Sequence, residues 1–411
     1  MKPIITVMKG STAVVITLRV SLAIVATMFG SWCLATSFSN AYAVDDLETA
    51  LTFAPGNGRL LAAAAHHTLS ADPVSSDAQA KAGADARRAL LTDATAAPAV
   101  ATLGLLEQLH GSGVAARRYF AYGEWLSRRD LSTQFWLIED AVERGDVNTA
   151  LHHYDIVLRS QNGADDILYP LLTKASNDPD ISDALVRTLS GRPTWTSGFL
   201  TYLGDNSEDQ LGTARFFAKL RAKHLAVPAS AQTTILGKLV AAGRYDAAWD
   251  YYATLRQGVD RRRSRDPRFV ASITSPTPFD WMVTADPVIS VAILGGEGKG
   301  SLTFAVPPNI EGELVRQVQL LPPGRYRLKG HSAQIDEVPS ERPVWSLRCV
   351  GDGREVLRLV VPNSSEASGK FNANFMVPPA CGAQWLVLNA RGSSSVAGLI
   401  GEIDFLLVEP Q

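Results

Sequence analysis

Near Pro278 the spacing of the apolar residues changes, and this change limits the folds open to the chain more than any other feature of its sequence. From Val44 to about Gly258 apolar residues recur at three- and four-residue intervals among Ala, Leu and Arg, the pattern of one amphipathic helix after another. After Pro278 they alternate. Leu302, Phe304 and Val306 form one such run, Tyr326 and Leu328 a second, Trp345, Leu347 and Cys349 a third, and Phe371, Ala373, Phe375 and Val377 a fourth. Each is bounded by Gly, Pro or Asn, as short strands are. A helical stripe and a pleated face do not close one common core, so the pattern predicts separate domains. The 411-residue length agrees with two or three of them. The expected division is residues 1–43 as a leader, 44–258 as helical hairpins, 259–278 as a linker and 279–411 as a β-sandwich.

The helical part repeats. Gly111, Ala116 and Phe120 follow G-x4-A-x3-[FY], and Gly145, Ala150 and Tyr154 restate it 34 residues later. Gly243, Ala248 and Tyr252 give a third copy, while Ala184 and Ala214 hold the small position in between without the aromatic. In such a unit Gly ends the first helix, the small Ala lets the second approach it, and the aromatic fills the space toward the next pair. On these residues, with Leu103-Gly104 and Gly243-Arg244-Tyr245-Asp246-Ala247-Ala248, the region resembles the tetratricopeptide repeat family. The family's early Trp, the Tyr of its first helix and its closing Pro are missing. The resemblance implies a hairpin solenoid offering a curved surface to a protein partner.

The strand-rich part has Pro322-Pro323-Gly324 and Gly351-Asp352-Gly353 as turns. Its regularly spaced strands predict an antiparallel β-sandwich or jelly roll. Phe279-Asp280-Trp281, Pro323-Gly324-Arg325-Tyr326-Arg327-Leu328, Trp345-Ser346-Leu347-Arg348-Cys349 and Val377-Pro378-Pro379-Ala380-Cys381-Gly382-Ala383-Gln384-Trp385-Leu386 resemble the galactose-binding-like jelly-roll modules of carbohydrate-binding proteins. That resemblance implies a glycan as ligand, and a place among exported proteins of Gram-negative envelopes.

The leader reading rests on Lys2, Lys9 and Arg19, the apolar stretch Val20 to Leu34 and the small-x-small site Ala41-Tyr42-Ala43, with cleavage before Val44. An uncleaved anchor is the competing reading, and about 15 apolar residues are short for a span of about 20. No later segment suggests a membrane span. Of three cysteines Cys33 lies in the leader, so an exported chain keeps Cys349 and Cys381, which an oxidising compartment would join. Two buried thiols are the alternative. The location expected is the periplasm or the exterior of a Gram-negative cell.

Hydrophobic residues at 46% exclude a disordered chain, and a net charge of −2 excludes nucleic acid as the main partner. Local charge is different. Arg325, Arg327 and Lys329 share one side of their strand, Arg348 points outward from its own, and Asn372 and Asn374 do so from a third. If those strands are neighbours, the face suits an acidic polysaccharide, with guanidinium forks for carboxylates and amides for hydroxyls. An ordinary solvated sheet face is the plainer reading. Sugar rings also need aromatic platforms. Alternation assigns Trp345 and Trp385 to the core, leaving Trp281 as the candidate. Arg261, Arg262, Arg263, Arg265 and Arg268 read as a solvated connector, with an anionic-polymer patch as the alternative.

Gly295-Gly296-Glu297-Gly298-Lys299-Gly300-Ser301 is a hairpin loop rather than a phosphate loop, because Gly300 separates Lys from Ser and no helix follows. Adjacent histidines at His66-His67 and His152-His153 ligate one metal poorly. Glu402 and Asp404 could seat a structural calcium, but no metal and no cofactor is expected. Serine-hydrolase, zinc-protease and cysteine-nucleophile motifs are missing. The sequence therefore reads as a non-catalytic exported scaffold: repeats for an envelope protein, sandwich for a glycan, accessory to exopolysaccharide or surface-polysaccharide assembly and export. A polysaccharide lyase using Tyr154 and His153 is one rival, since lyases also pair helices with a sandwich; a protein-only adapter is the other.

Overall fold

The computed structural model describes residues 8–42, 46–296 and 298–411. Among these, fourteen helices precede two antiparallel five-stranded sheets, so helical hairpins followed by a β-sandwich is the observed architecture. The chain gathers into two compact units, Met1–Ala164 and Asp165–Gln411. The expected cleavage point falls on Ala43 and Val44, which lie outside the described residues.

The first unit opens with α1 (Met8–Tyr42), followed by α2 (Leu47–Phe53), α3 (Gly58–Ala71), α4 (Ser76–Thr92), α5 (Ala97–Leu109), α6 (Gly113–Leu126), α7 (Leu131–Glu143) and α8 (Val147–Ser160). The apolar part of α1 is longer than the Val20–Leu34 stretch. Arg19–Tyr42, 24 residues, is long and apolar enough to cross a membrane. The hydroxyls in its second half do not break the helix; that of Thr36 donates back to Trp32 O at 2.9 Å. Length alone therefore does not disfavour an anchor.

Helices α3/α4, α5/α6 and α7/α8 pack as hairpins, and α3, α5 and α7 stack in series. The starts of α7 and α8 are capped by short polar side chains: Asp130 and Asp146 each take the amide and the hydroxyl of a threonine three residues on, Thr133 and Thr149. Their ends explain the repeat glycines. Gly111 and Gly145 lie at φ 78° and 67°, in the left-handed region. There Gly111 N–H donates to Gln108 O and Ser112 N–H to Glu107 O, the paired bonds that close a helix. The small residues then let helices approach: Ala82, Ala86, Ala99 and Ala116 are fully buried. Gly104 makes room for Phe120, which stacks on Trp136 at 4.2 Å; a Cβ at Gly104 would meet that ring at 2.8 Å.

The second unit takes in nearly all of α9 (Ala164–Ala175), then α10 (Pro179–Ser190), α11 (Thr196–Asn206), α12 (Gln210–Ala222), α13 (Ala229–Ala241) and α14 (Tyr245–Leu255). Here α11 packs on α13, and α10, α12 and α14 follow one another. Gly243, at φ 69°, closes α13 with the same bond pair. Ala184, Ala214 and Ala248 are buried, as the repeat phase requires. Where the aromatic is missing, Phe216 and Phe217 fill the core instead.

The strands are β1 (Met282–Val283), β2 (Ser290–Leu294), β3 (Ser301–Val306), β4 (Gly312–Gln319), β5 (Gly324–Ala333), β6 (Val344–Cys349), β7 (Glu355–Val360), β8 (Lys370–Val377), β9 (Gln384–Ala390) and β10 (Leu399–Pro410). One sheet has the order β1-β4-β9-β6-β7, the other β2-β3-β10-β5-β8. Apart from the edge strands β1 and β2, the eight remaining strands have jelly-roll connectivity. The core lies between the sheets, with Trp345, Leu328, Leu347, Leu386, Leu406 and Val408 at its centre. Cys349 and Cys381 form a disulfide with Cα atoms 5.3 Å apart. Closing a loop of this size contributes about 3 to 4 kcal/mol in the chain-entropy account.

Within the stretch 259–278, Ser264, Arg265 and Phe269 are buried, while Arg262, Arg263 and Arg268 are exposed as in a solvated connector. Ser264 N–H donates to Val408 O, and Pro267 O accepts from Leu406 N–H, so the segment lies along β10. Arg265 is 6% exposed. Its backbone amide donates to Gln317 Oε1 at 3.1 Å, Nε to Phe279 O at 3.1 Å, Nη1 to Gln319 Oε1 at 2.9 Å, and Nη2 to Val318 O. Burial pulls its pKa down to about 10, so it stays charged at neutral pH. The rings of Trp249 and Phe279 flank the guanidinium. Nearby, Asp280 accepts from Tyr252 Oη at 3.0 Å and from the Thr277 amide and hydroxyl, tying α14 to the first strand of the sandwich.

Candidate functional site

Antiparallel pairing brings most of the sequence candidates together. β5 pairs with β8 in a register that sets Arg327 opposite Asn374 and Lys329 opposite Asn372, with Arg325 opposite Met376. Residues directly opposite share a face, here the outer one, because Tyr326, Leu328, Phe371 and Phe375 take the inner positions. Arg327 Nε donates to Asn374 Oδ1 at 3.0 Å, which fixes the fork while its terminal nitrogens remain to bind.

Two candidates are placed elsewhere. Arg348 is on β6, in the other sheet, where it pairs with Glu355 at 3.6 Å. Alternation told which residues point outward but not from which sheet. Trp281 is 5% exposed, stacked on Phe269 at 5.3 Å and next to Trp345, with Nε1 donating to Asp266 O. It is a core residue, because the packed 264–270 segment covers it. Trp385 departs in the opposite sense. Leu386 and Leu388 take the inner positions of β9, leaving Trp385 half-buried in the outer row beneath the Arg316 guanidinium at 4.8 Å.

The structure adds residues that the sequence reading did not assign to a site. An open groove of about 680 Å³ on the β5/β8 face is lined by Arg268, Lys299, Arg327, Lys329, Lys370 and Asn372, with His331 and Asp404 at one end. Its five cations come from four parts of the chain: the 259–278 segment, the β2–β3 hairpin, β5 and β8. The Arg run and the Gly-rich loop were visible in the sequence, but nothing local showed that they meet β5. Glu297 of that loop lies outside the described residues.

Acids inside or beside the groove are engaged. Lys329 Nζ lies 2.5 Å from Glu409, whose carboxyl is held below its usual pKa chiefly by that hydrogen bond. His331 Nδ1 is 2.7 Å from Asp404 Oδ1. Asp404 is the extra residue of a bulge, since Ile403 opposes Ser332 and Phe405 opposes His331; the kink turns its carboxylate to the imidazole. Asp404 is thereby occupied, and no group of three or more His, Cys, Asp or Glu side chains that could hold a metal occurs among the described residues. Arg268, Arg325, Arg327 and Lys370 form no ion pair among the described residues.

The two residues named for a lyase, His153 and Tyr154, lie on α8. His153 is buried, bonds Gln134 Oε1 at 2.8 Å through Nδ1, and has its pKa lowered by burial. Burial raises the pKa of Tyr154, so its hydroxyl is a weaker acid and harder to ionise into a base.

No protein-family model matches the chain, and no curated protein does. Among solved structures it is similar to the enzymatically active domain of bacteriophage CBA120 tailspike protein 4, at 17% identity and a TM-score of 0.23, covering 31% of this chain and 19% of that one. The chain thus spans about a fifth of that structure, and a likeness of this size transfers neither fold nor activity.

Proposed function

We propose that this chain is an exported, non-catalytic binding protein whose sandwich takes an acidic polysaccharide in the β5/β8 groove, while its helical hairpins hold an envelope protein. The observation that carries the reading is convergence: five cations and Asn372, from separate parts of the sequence, line one open groove, with Asn374 beside them on β8. Such a face gains affinity by releasing counterions from a polyanion and gains orientation from bidentate guanidinium contacts. The apolar N-terminal helix and the disulfide support an oxidising compartment outside the cytoplasm, which for a Gram-negative cell is the periplasm or beyond. A protein so placed would serve assembly or export of an exopolysaccharide or surface polysaccharide.

The test is titration calorimetry with polygalacturonate, with dextran as the neutral polymer. Binding to the polyuronate only, weakening steeply with salt, is expected. Equal binding of dextran, or no binding of either, would end the reading. Unsaturated uronate products accumulating during the titration would overturn its non-catalytic part.

A further inference from the structure

A second cleft, away from the groove, is built around an arginine whose charge has no counterpart. It encloses about 460 Å³, the size of a small-molecule site, between the end of α12, the start of α13, the end of α14 and residues 271–277. Arg221 and Arg256 line it with Gln232, Thr233, Ser272 and Thr274, and no carboxylate is among its lining residues. Arg256 is partly engaged, 3.5 Å from Asp280. Arg221 forms no ion pair among the described residues; its Nη2 donates to Thr254 O at 3.0 Å.

Two buried donors are left over, one on a residue that lines the cleft and one on a residue that does not. Arg221 Nε and the hydroxyl of Tyr251, a residue 3% exposed, find no partner among the described residues. Arg221 is near enough to Tyr251 to act on its hydroxyl electrostatically. A buried donor without an acceptor costs free energy, so Arg221 Nε, on a residue that lines the cleft, marks a place where an acceptor belongs; Tyr251 is not among the lining residues. The first turn of α13 adds to this. Its N-cap is Pro228, which supplies no side-chain cap, and Ala229, Gln232 and Thr233 of that turn line the cleft. The positive end of a 13-residue helix thus faces the same space as the two guanidinium groups.

We propose that this cleft is a seat for an oxyanion, a carboxylate or a sulfate-like group on a small ligand, received by Arg221 and Arg256 with the hydroxyls of Ser272 and Thr274 as secondary donors, that of Thr233 being given to Ser275 O. The inference does not rest on the polysaccharide groove. A guanidinium fork matches the two oxygens of a carboxylate or sulfate, and the helix start offers main-chain amides to a further oxygen.

The experiment titrates the full chain with sodium sulfate and, separately, with sodium glucuronate at constant ionic strength, following heat and unfolding temperature. Saturable binding of at least one, weakened about tenfold or more in Arg221→Gln, is expected. Arg221→Lys keeps the charge without the fork and should fall between; it also serves if Arg221→Gln does not fold. Arg348→Gln, on the far sheet, should match the wild type. Glucuronate binding without sulfate binding identifies a sugar acid, and binding of both identifies oxyanions generally. If neither binds, or if the Arg221 variants bind as the wild type does, a water fills the space and the proposal fails. Failure of the groove reading would show separately, as absence of polygalacturonate binding.

Discussion

The two outer faces of the sandwich carry similar numbers of arginines and use them differently. On the β1-β4-β9-β6-β7 sheet Arg348 and Arg358 share Glu355, at 3.6 and 3.4 Å, and Arg316 pairs with Glu313 while covering Trp385. Each positive charge there is answered within its own or the next strand. On the β2-β3-β10-β5-β8 sheet Lys329 is paired with Glu409, which Arg327 also reaches electrostatically, but Arg325, Arg327 and Lys370 form no ion pair among the described residues, and Arg268 joins them from outside the sheet. Cation count therefore does not distinguish a binding face from a solvated one. What does is whether the acids that would neutralise it lie within reach.

The largest effect should come from the interior that both faces share. Arg265→Ala strips partners from Gln319, Val318 O and Phe279 O together while leaving the backbone bonds to Gln317, and should lower unfolding free energy by about 3 kcal/mol or more in urea melts. Replacing Cys349 and Cys381 by serine should cost about 2 to 4 kcal/mol, and adding reductant to the wild type should reproduce the loss. The faces then separate. Arg327→Gln with Lys329→Gln should weaken polygalacturonate binding about tenfold or more by calorimetry, with Arg348→Gln, the outward arginine of the other face, as the comparison. An equal loss in both would erase the distinction between the faces. For stability, Arg348→Gln should change unfolding by no more than about 0.5 kcal/mol, as exposed pairs do. The smallest expected effect is a pH dependence at Glu409, whose pKa Lys329 holds below the ordinary 4.5. A carboxylate with a depressed folded pKa stabilises above its unfolded value and loses that contribution as pH falls through the folded one. The gap in melting temperature between wild type and Lys329→Met should therefore close on acidification.

The sequence shows the repeat glycines because a left-handed φ after a helix leaves few alternatives to Gly, and it shows the alanine phase because close helices leave no room for more. Strand alternation showed the inner rows, Trp385 of β9 excepted, and the count of cysteines outside the leader pointed to the cystine. What it could not show was association over distance. Arg327 meets Asn374 across a pairing 47 residues apart in sequence, and Arg268 and Lys299 reach the groove from loops with no periodicity to mark them. Arg265 was hidden for a different reason. In a run of arginines a buried one looks like its solvated neighbours, and only the inward-facing Gln317 and Gln319 of β4 reveal where its donors go.

In the sheet that carries the groove, the strand at the centre comes after the other four in sequence. β10 bonds to β3 on one side and β5 on the other, and its bulge sets the carboxylate that holds His331. Until those twelve residues arrive, β3 and β5 are two bare edges with a gap between them, exposed to pairing with any strand that passes. The arrival of β10 between them completes the sheet and the floor of the groove together.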